Sequence, residues 1–137
     1  MKKKLILLVV SALVFWAVAA AELTVRVEGV LEFEGMVMVG LFDTEKAFKD
    51  RDMFKRMKVE PADDVICTFT DIPEGEYMVA VYHDVNSNEE LDAHFYGKPK
   101  EPYGFSNNKF GMFGAPPKFE KAAVLVKDQT EILITLR

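Results

Sequence analysis

In Tyr77-Met78-Val79-Ala80-Val81-Tyr82-His83-Asp84, the residues Tyr77, Val79, Val81 and His83 alternate with Met78, Ala80 and Tyr82. A period of two places one set on each face of a strand and does not suit a helix. The same period recurs on both sides. Leu23, Val25 and Val27 alternate with Thr24, Arg26 and Glu28, and Val65, Cys67 and Phe69 alternate with Ile66 and Thr68. Met36 to Phe42 is apolar on both alternating sets, with a break at Gly40, which predicts a strand covered on both faces. Residues 122–126 and 132–136 are two β-rich runs, and Lys127-Asp128-Gln129 between them fits a hairpin. A further strand can come from residues 56–60 or 30–33.

Short connections join these runs. Glu34-Gly35 and Pro73-Glu74-Gly75 read as tight turns. Residues 44–57 differ, because Asp43 or Thr44 can cap a helix start and Ala47, Phe48, Phe54 and Met57 follow at roughly helical spacing. The stretch predicts a short amphipathic helix or a pair of turns, with Lys55-Arg56-Met57-Lys58 as its solvated face and Pro61 closing it. Strands linked by short turns, with at most one helix, predict an all-β fold. The expectation is an antiparallel β-sandwich with a core that includes Leu41, Val79, Val81 and Ile134.

The chain has 137 residues, the size of one domain, with half of them hydrophobic and 28% charged. That composition excludes wholesale disorder. The net charge of −5 argues against a nucleic-acid partner, and a single cysteine excludes an internal disulfide and a multi-cysteine zinc site. Cys67 falls on the apolar side of its strand and reads as a buried, inert thiol. The N-terminus reads as an address. Lys2, Lys3 and Lys4 precede the apolar run Leu5 to Val18, and Ala19-Ala20-Ala21 supplies small residues for cleavage. The run is short for a bilayer span, which needs about 20 residues. The expected organisation is a signal peptide over residues 1–21 and one domain over 22–137, exported to the periplasm or beyond, with no membrane insertion after cleavage.

The chemistry concentrates in His83-Asp84-Val85-Asn86-Ser87-Asn88-Glu89-Glu90-Leu91-Asp92. Asp84, Asn86, Asn88 and Asp92 stand at positions 1, 3, 5 and 9 of a loop whose oxygens can converge on one hard cation. The candidate calcium ligands are Asp84, Asn86, Asn88, the carbonyl of Glu90 and Asp92, with Glu101 as a distant acid and Leu91 pinning the loop to the core. Two requirements of a complete calcium loop are unmet: position 6 carries Glu89 instead of Gly, and position 12 carries Phe95 instead of Glu. The competing reading is that Asp84 and Asn86 form metal-free Asx-turns. His83 and His94 with Asp84 or Asp92 match no standard zinc spacing. Asp84, Asp92 and Glu101 could supply a pair of carboxyls for hydrolysis. No nucleophile elbow or phosphate loop accompanies them.

Residues 84–118 hold four of the six prolines, together with Phe95, Tyr96, Tyr103, Phe105, Phe110 and Phe113. So many aromatics predict an ordered loop, held by a packed aromatic cluster or a bound ion. Tyr96, Tyr103 and Phe105 are also candidates for an exposed stacking surface for a glycan or small molecule.

Gly75-Glu76-Tyr77, His83-Asp84 with Asn86 and Asn88, Leu91-Asp92, and the run from Gly97 to Asn108 resemble the hallmarks of an exported bacterial family. That family is catalogued as domain of unknown function 2141. The resemblance covers the chain beyond its N-terminal segment, with a departure at Glu89, where the family usually has Gly. It implies an exported sandwich similar to prealbumin-like or immunoglobulin-like modules, and it supplies no catalytic residues. The expectation for function is a non-enzymatic binding or accessory module of the cell envelope, with calcium as the candidate ion of its acidic loop, whose partner is a small molecule, a glycan or an envelope protein. The alternatives are a hydrolase-like enzyme using the acidic loop at 84–101 and a structural or assembly subunit with an open edge strand.

Overall fold

A computed structural model describes residues 18–92 and 99–137. Eight strands appear in chain order: β1 (Ala20–Glu28), β2 (Met36–Phe42), β3 (Lys55–Val59), β4 (Val65–Pro73), β5 (Gly75–Asp84), β6 (Tyr103–Phe105), β7 (Val124–Val126) and β8 (Gln129–Thr135). Two short helices, α1 (Glu45–Lys49) and α2 (Phe119–Ala122), lie between them. One sheet has the order β4-β1-β8, and the other runs β3-β2-β5-β6 with β7 also paired to β5. The fold is mostly β, in two mostly antiparallel sheets that share one core.

The alternation explains that core. Leu23, Val25 and Val27 of β1 and Val65, Cys67 and Phe69 of β4 face Val37, Val39 and Leu41 of β2 and Tyr77, Val79 and Val81 of β5. All four residues expected in the core are buried. Each fully buried aliphatic side chain contributes about 1.5–3 kcal/mol relative to exposure. The prediction that β2 is covered on both faces also holds. Its other face carries Phe42, which joins Met78, Tyr103, Phe105 and Ala122 in a second cluster, with Phe48, Phe110 and Phe119 packed against it. α1, α2 and the segment after β6 therefore cover the outer face of the larger sheet.

Two sequence expectations are corrected. The segment 122–136 does not form a hairpin: β7 pairs with β5 and β8 pairs with β1. Val126 and Ile134 are both fully buried, but they enter the core from opposite sheets, so the turn at Asp128 carries the chain across the sandwich. The sheets are mostly antiparallel, as expected, and β8 is the strand that runs parallel to its neighbour β1, from Glu22↔Gln129 to Glu28↔Thr135. The helix read over 44–57 is only α1, capped by Thr44 Oγ1 accepting from Ala47 N–H at 3.0 Å. Its expected second half is β3, whose Met57 and Val59 pack against the core. β1 begins at Ala20, and Ala21 is buried opposite Ile72.

Ser106 closes the gap between β6 and β7 along β5. Its fully buried hydroxyl accepts from Val79 N–H at 2.9 Å and donates to the Ala122 carbonyl at 2.5 Å. Asn108 does similar work on the outer edge of β8, accepting from Thr135 N–H at 2.8 Å and donating to the Leu133 carbonyl at 3.3 Å. That side chain occupies main-chain groups which an added strand would need. β3 carries exposed Lys55, Arg56 and Lys58, charges of the kind that blunt an edge.

Candidate functional site

β5 delivers His83 and Asp84 to one end of the sandwich, where Met36 opens β2 opposite Asp84. The chain entering β2 passes so close that a Cβ on Gly35 would lie 1.9 Å from the Asp84 carbonyl oxygen, and Gly35 sits at φ +71°. Only glycine fits there. His83 is buried and donates from Nε2 to the Glu34 carbonyl at 2.7 Å, while its N–H donates to the Pro102 carbonyl at 2.9 Å. It thus fastens the loop to the fold. His94, the other half of the zinc reading, lies outside the described residues.

Asp84 is 1% exposed, and its carboxylate organises the turn that follows. Oδ1 accepts from Asn88 N–H at 3.2 Å and Oδ2 from Glu89 N–H at 2.8 Å. Asn86 Oδ1 also accepts from Asn88 N–H at 3.2 Å, and Asn88 Oδ1 accepts from Glu90 N–H at 3.0 Å. These are the Asx-turns that the sequence offered as the competing reading. Both asparagines then donate to Asp92: Asn86 Nδ2 at 2.5 Å, and Asn88 Nδ2 to each carboxylate oxygen at 3.0 Å. Asp84, Asn86, Asn88, Glu90 and Asp92 are therefore gathered into one hydrogen-bonded loop. Glu90 joins it through its N–H.

Ser87 and Glu89 both adopt left-handed backbone, at φ +56° and +64°. Glu89 is the position where a calcium loop takes glycine, and the backbone adopts the turn without it. Its carbonyl accepts from the Tyr82 hydroxyl at 2.9 Å, and its carboxylate pairs with Lys58. Leu91 does not pin the loop to the core, being 39% exposed. Glu101 takes that part. It is 8% exposed, and it accepts from Val85 N–H at 3.1 Å through Oε1 and from Asp92 N–H at 3.0 Å through Oε2. One carboxylate thus ties together the two ends of the loop. Sequence reasoning had Glu101 as a distant acid; its role as a clasp depends on the chain returning after residue 92.

The local field is negative. Burial pushes the Tyr82 hydroxyl above its ordinary pKa, and the charges of Asp84 and Glu101 push the same way. The donors are oxygens, which suits a hard cation such as calcium and does not suit zinc. Among the described residues no three side chains drawn from His, Cys, Asp and Glu converge as a metal cluster, so the fit to calcium depends on the asparagines. A cavity of about 120 Å³ lies beside Asp84, lined also by Met36, Met38, Lys58, Ser87 and Glu89. That is small against the roughly 300–1,000 Å³ of ordinary ligand pockets.

Tyr103 and Phe105 are corrected as a ligand surface. They are 8% and 6% exposed and pack edge-to-face with each other at 5.9 Å between ring centroids. Phe110 packs edge-to-face on both, at 5.4 and 5.7 Å. Such pairs contribute about 0.5–1.5 kcal/mol each beyond burial. The aromatics seal the outer face of the larger sheet, the other reading open at the sequence level. Tyr96 lies outside the described residues.

The class defined by these features is a two-sheet, mostly antiparallel β protein with an Asx-rich acidic loop clasped by a buried glutamate. The chain belongs to the family described as an uncharacterized protein conserved in bacteria (DUF2141), whose profile matches residues 25–133. No curated protein and no solved structure matches it.

Proposed function

We propose that this protein is an exported, non-enzymatic binding or accessory module of the bacterial cell envelope whose loop at residues 84–92 takes calcium. The observation that carries the calcium reading is the left-handed backbone of Glu89 at φ +64°, the conformation that the sixth position of a calcium loop requires. Asp84, Asn86, Asn88 and Asp92 would hold the ion through their side-chain oxygens and Glu90 through its carbonyl. The ion would supply positive charge at a site crowded with carboxylates. A binding role is preferred to hydrolysis because the Asp84 and Glu101 carboxylates are engaged with main-chain N–H groups. Export is supported by Lys2 to Lys4, the apolar run to Val18 and the small residues that follow.

The test is thermal unfolding with calcium and with chelator, titrated to several millimolar, because extracellular calcium modules bind at roughly 10⁻⁴–10⁻³ M. At 100-fold excess over the dissociation constant the stabilisation is about 2.7 kcal/mol, which raises the melting temperature by up to about 10 °C. Asp92→Asn should reduce the rise, since it removes a charged ligand that is only half-buried. Equal melting temperatures at every calcium concentration would sink the calcium reading. Cell fractionation tests export independently.

A further inference from the structure

Met112 and Phe113 are adjacent, apolar and 77% and 95% exposed. Single exposed apolar residues are ordinary, but two in succession on a fixed turn are not. The turn is fixed on both sides. Gly111 N–H donates to the Ala115 carbonyl at 2.7 Å, and Ala115 N–H donates to the Met112 carbonyl at 3.1 Å. The Tyr103 hydroxyl donates to the Gly114 carbonyl, and a Cβ on Gly114 would lie 2.6 Å from that hydroxyl oxygen. Phe113 itself is held at φ +55°, ψ +33°, left-handed backbone that a bulky residue rarely adopts. The loop therefore presents the two side chains outward, while Phe110, three residues earlier, packs inward.

The segment that carries the tip is basic between Glu101 and Glu120, in a chain that is acidic as a whole. The chain carries net −5, yet residues 102–119 contain Lys109 and Lys118 and no acid. Both lysines are exposed, and Arg137 lies over the Phe110 ring at 4.8 Å. Apolar side chains that enter the acyl boundary, ringed by cations that meet phosphate headgroups, are the chemistry of peripheral docking on an anionic lipid surface. A second copy of this acidic chain fits less well, because the surface would have to supply an apolar recess for Phe113.

We infer that the Met112–Phe113 tip, flanked by Lys109 and Lys118, docks the protein on anionic phospholipid. This inference rests on the export reading, since it concerns the form without the apolar N-terminal run.

The test uses protein isolated from the envelope fraction, its N-terminus read by intact mass. Flotation is measured with vesicles of phosphatidylglycerol and phosphatidylcholine, and with phosphatidylcholine alone. The parent should float with the anionic vesicles only, and about 0.5 M salt should weaken the binding. The double variant Met112→Ser, Phe113→Ser should lower partitioning roughly ten-fold or more, with its melting temperature unchanged because both side chains are exposed. Lys109→Glu with Lys118→Glu should weaken binding to the anionic vesicles. No flotation of the parent overturns the inference, as does flotation that the tip variant leaves unchanged. So does loss of self-association in the tip variant without vesicle binding by the parent, which would make the tip a contact between copies. An intact mass that retains Lys2 to Lys4, with flotation on both vesicle types, would mark failure of the export reading instead.

Discussion

Tyr103 and Arg137 exchange both of their main-chain hydrogen bonds, at 3.2 and 3.0 Å, and this pair fastens the chain beyond β8 to β6 of the opposite sheet. Leu136, one residue before, is 6% exposed and donates its N–H to the Glu28 carbonyl at 2.8 Å. The two sheets are thus joined at one corner by main chain as well as by the core. Leu136→Ala should cost about 2–5 kcal/mol, because it leaves a cavity where the sheets meet. Urea unfolding reads the loss; a cost below about 1 kcal/mol would show that the corner is loosely packed.

Ser106→Ala should be destabilising by about 1–3 kcal/mol although it removes one oxygen. The Val79 N–H and the Ala122 carbonyl would both lose a buried partner. Amide exchange at Val79 should accelerate in the variant. Unchanged protection there would mean that another group replaces the hydroxyl.

Glu89→Gly should stabilise the protein with chelator present, by about 0.5–1 kcal/mol. Relief of left-handed backbone is worth roughly 1–2 kcal/mol, offset by the lost exposed pair with Lys58 and by the greater freedom of unfolded glycine. Lys58→Ala isolates the ion-pair part. A gain seen only with calcium would place the effect in the ion site and not in the backbone.

Signal cleavage should occur after Ala19, where Ala17 and Ala19 present the required small residues, and leave Ala20 as the mature N-terminus. Ala20 pairs with Pro73 and Ala21 with Ile72, so this position preserves β1 whole. Intact mass of the envelope protein distinguishes Ala20 from Glu22. A Glu22 start would show that the first two residues of the strand are dispensable.

Cys67 should resist alkylation in the native protein at neutral pH and react once per chain in denaturant. The thiol is 7% exposed, and burial pushes its pKa up to about 11, so little thiolate forms. Rapid native labelling would show that β4 opens locally.

The strands that could be read in the sequence are those whose burial repeats within a few residues. β5 and β1 show clean alternation, and β2 shows cover on both faces. β7 and β8 defeated the same logic because alternation tells which residues are buried, not in which sheet. A hairpin and a crossing between sheets place Val126 and Ile134 equally well in the interior. β3 was hidden by Lys55, Arg56 and Lys58, whose charges serve an edge strand as readily as a helix face. At the loop, Asp84, Asn86, Asn88 and Asp92 were legible because short polar side chains have few other uses at that spacing. Glu89 was not legible as left-handed, since glutamate carries no bias toward that conformation. The exposure of Leu91 and the clasp by Glu101 depend on residues 99–102 returning to the loop, which no local pattern encodes.

The parallel pairing of β1 with β8 sets an order on folding. β1 pairs along one edge with β4 and along the other with a strand that begins at Gln129, so its sheet is incomplete until nearly the whole chain is available. Closing such distant contacts first loses chain entropy, which slows folding into the range of milliseconds to seconds for β topologies. A chain emerging from the ribosome therefore holds β1 unpaired on one side until β8 has been made. β8 is thus the strand that completes the sheet its N-terminal partner began.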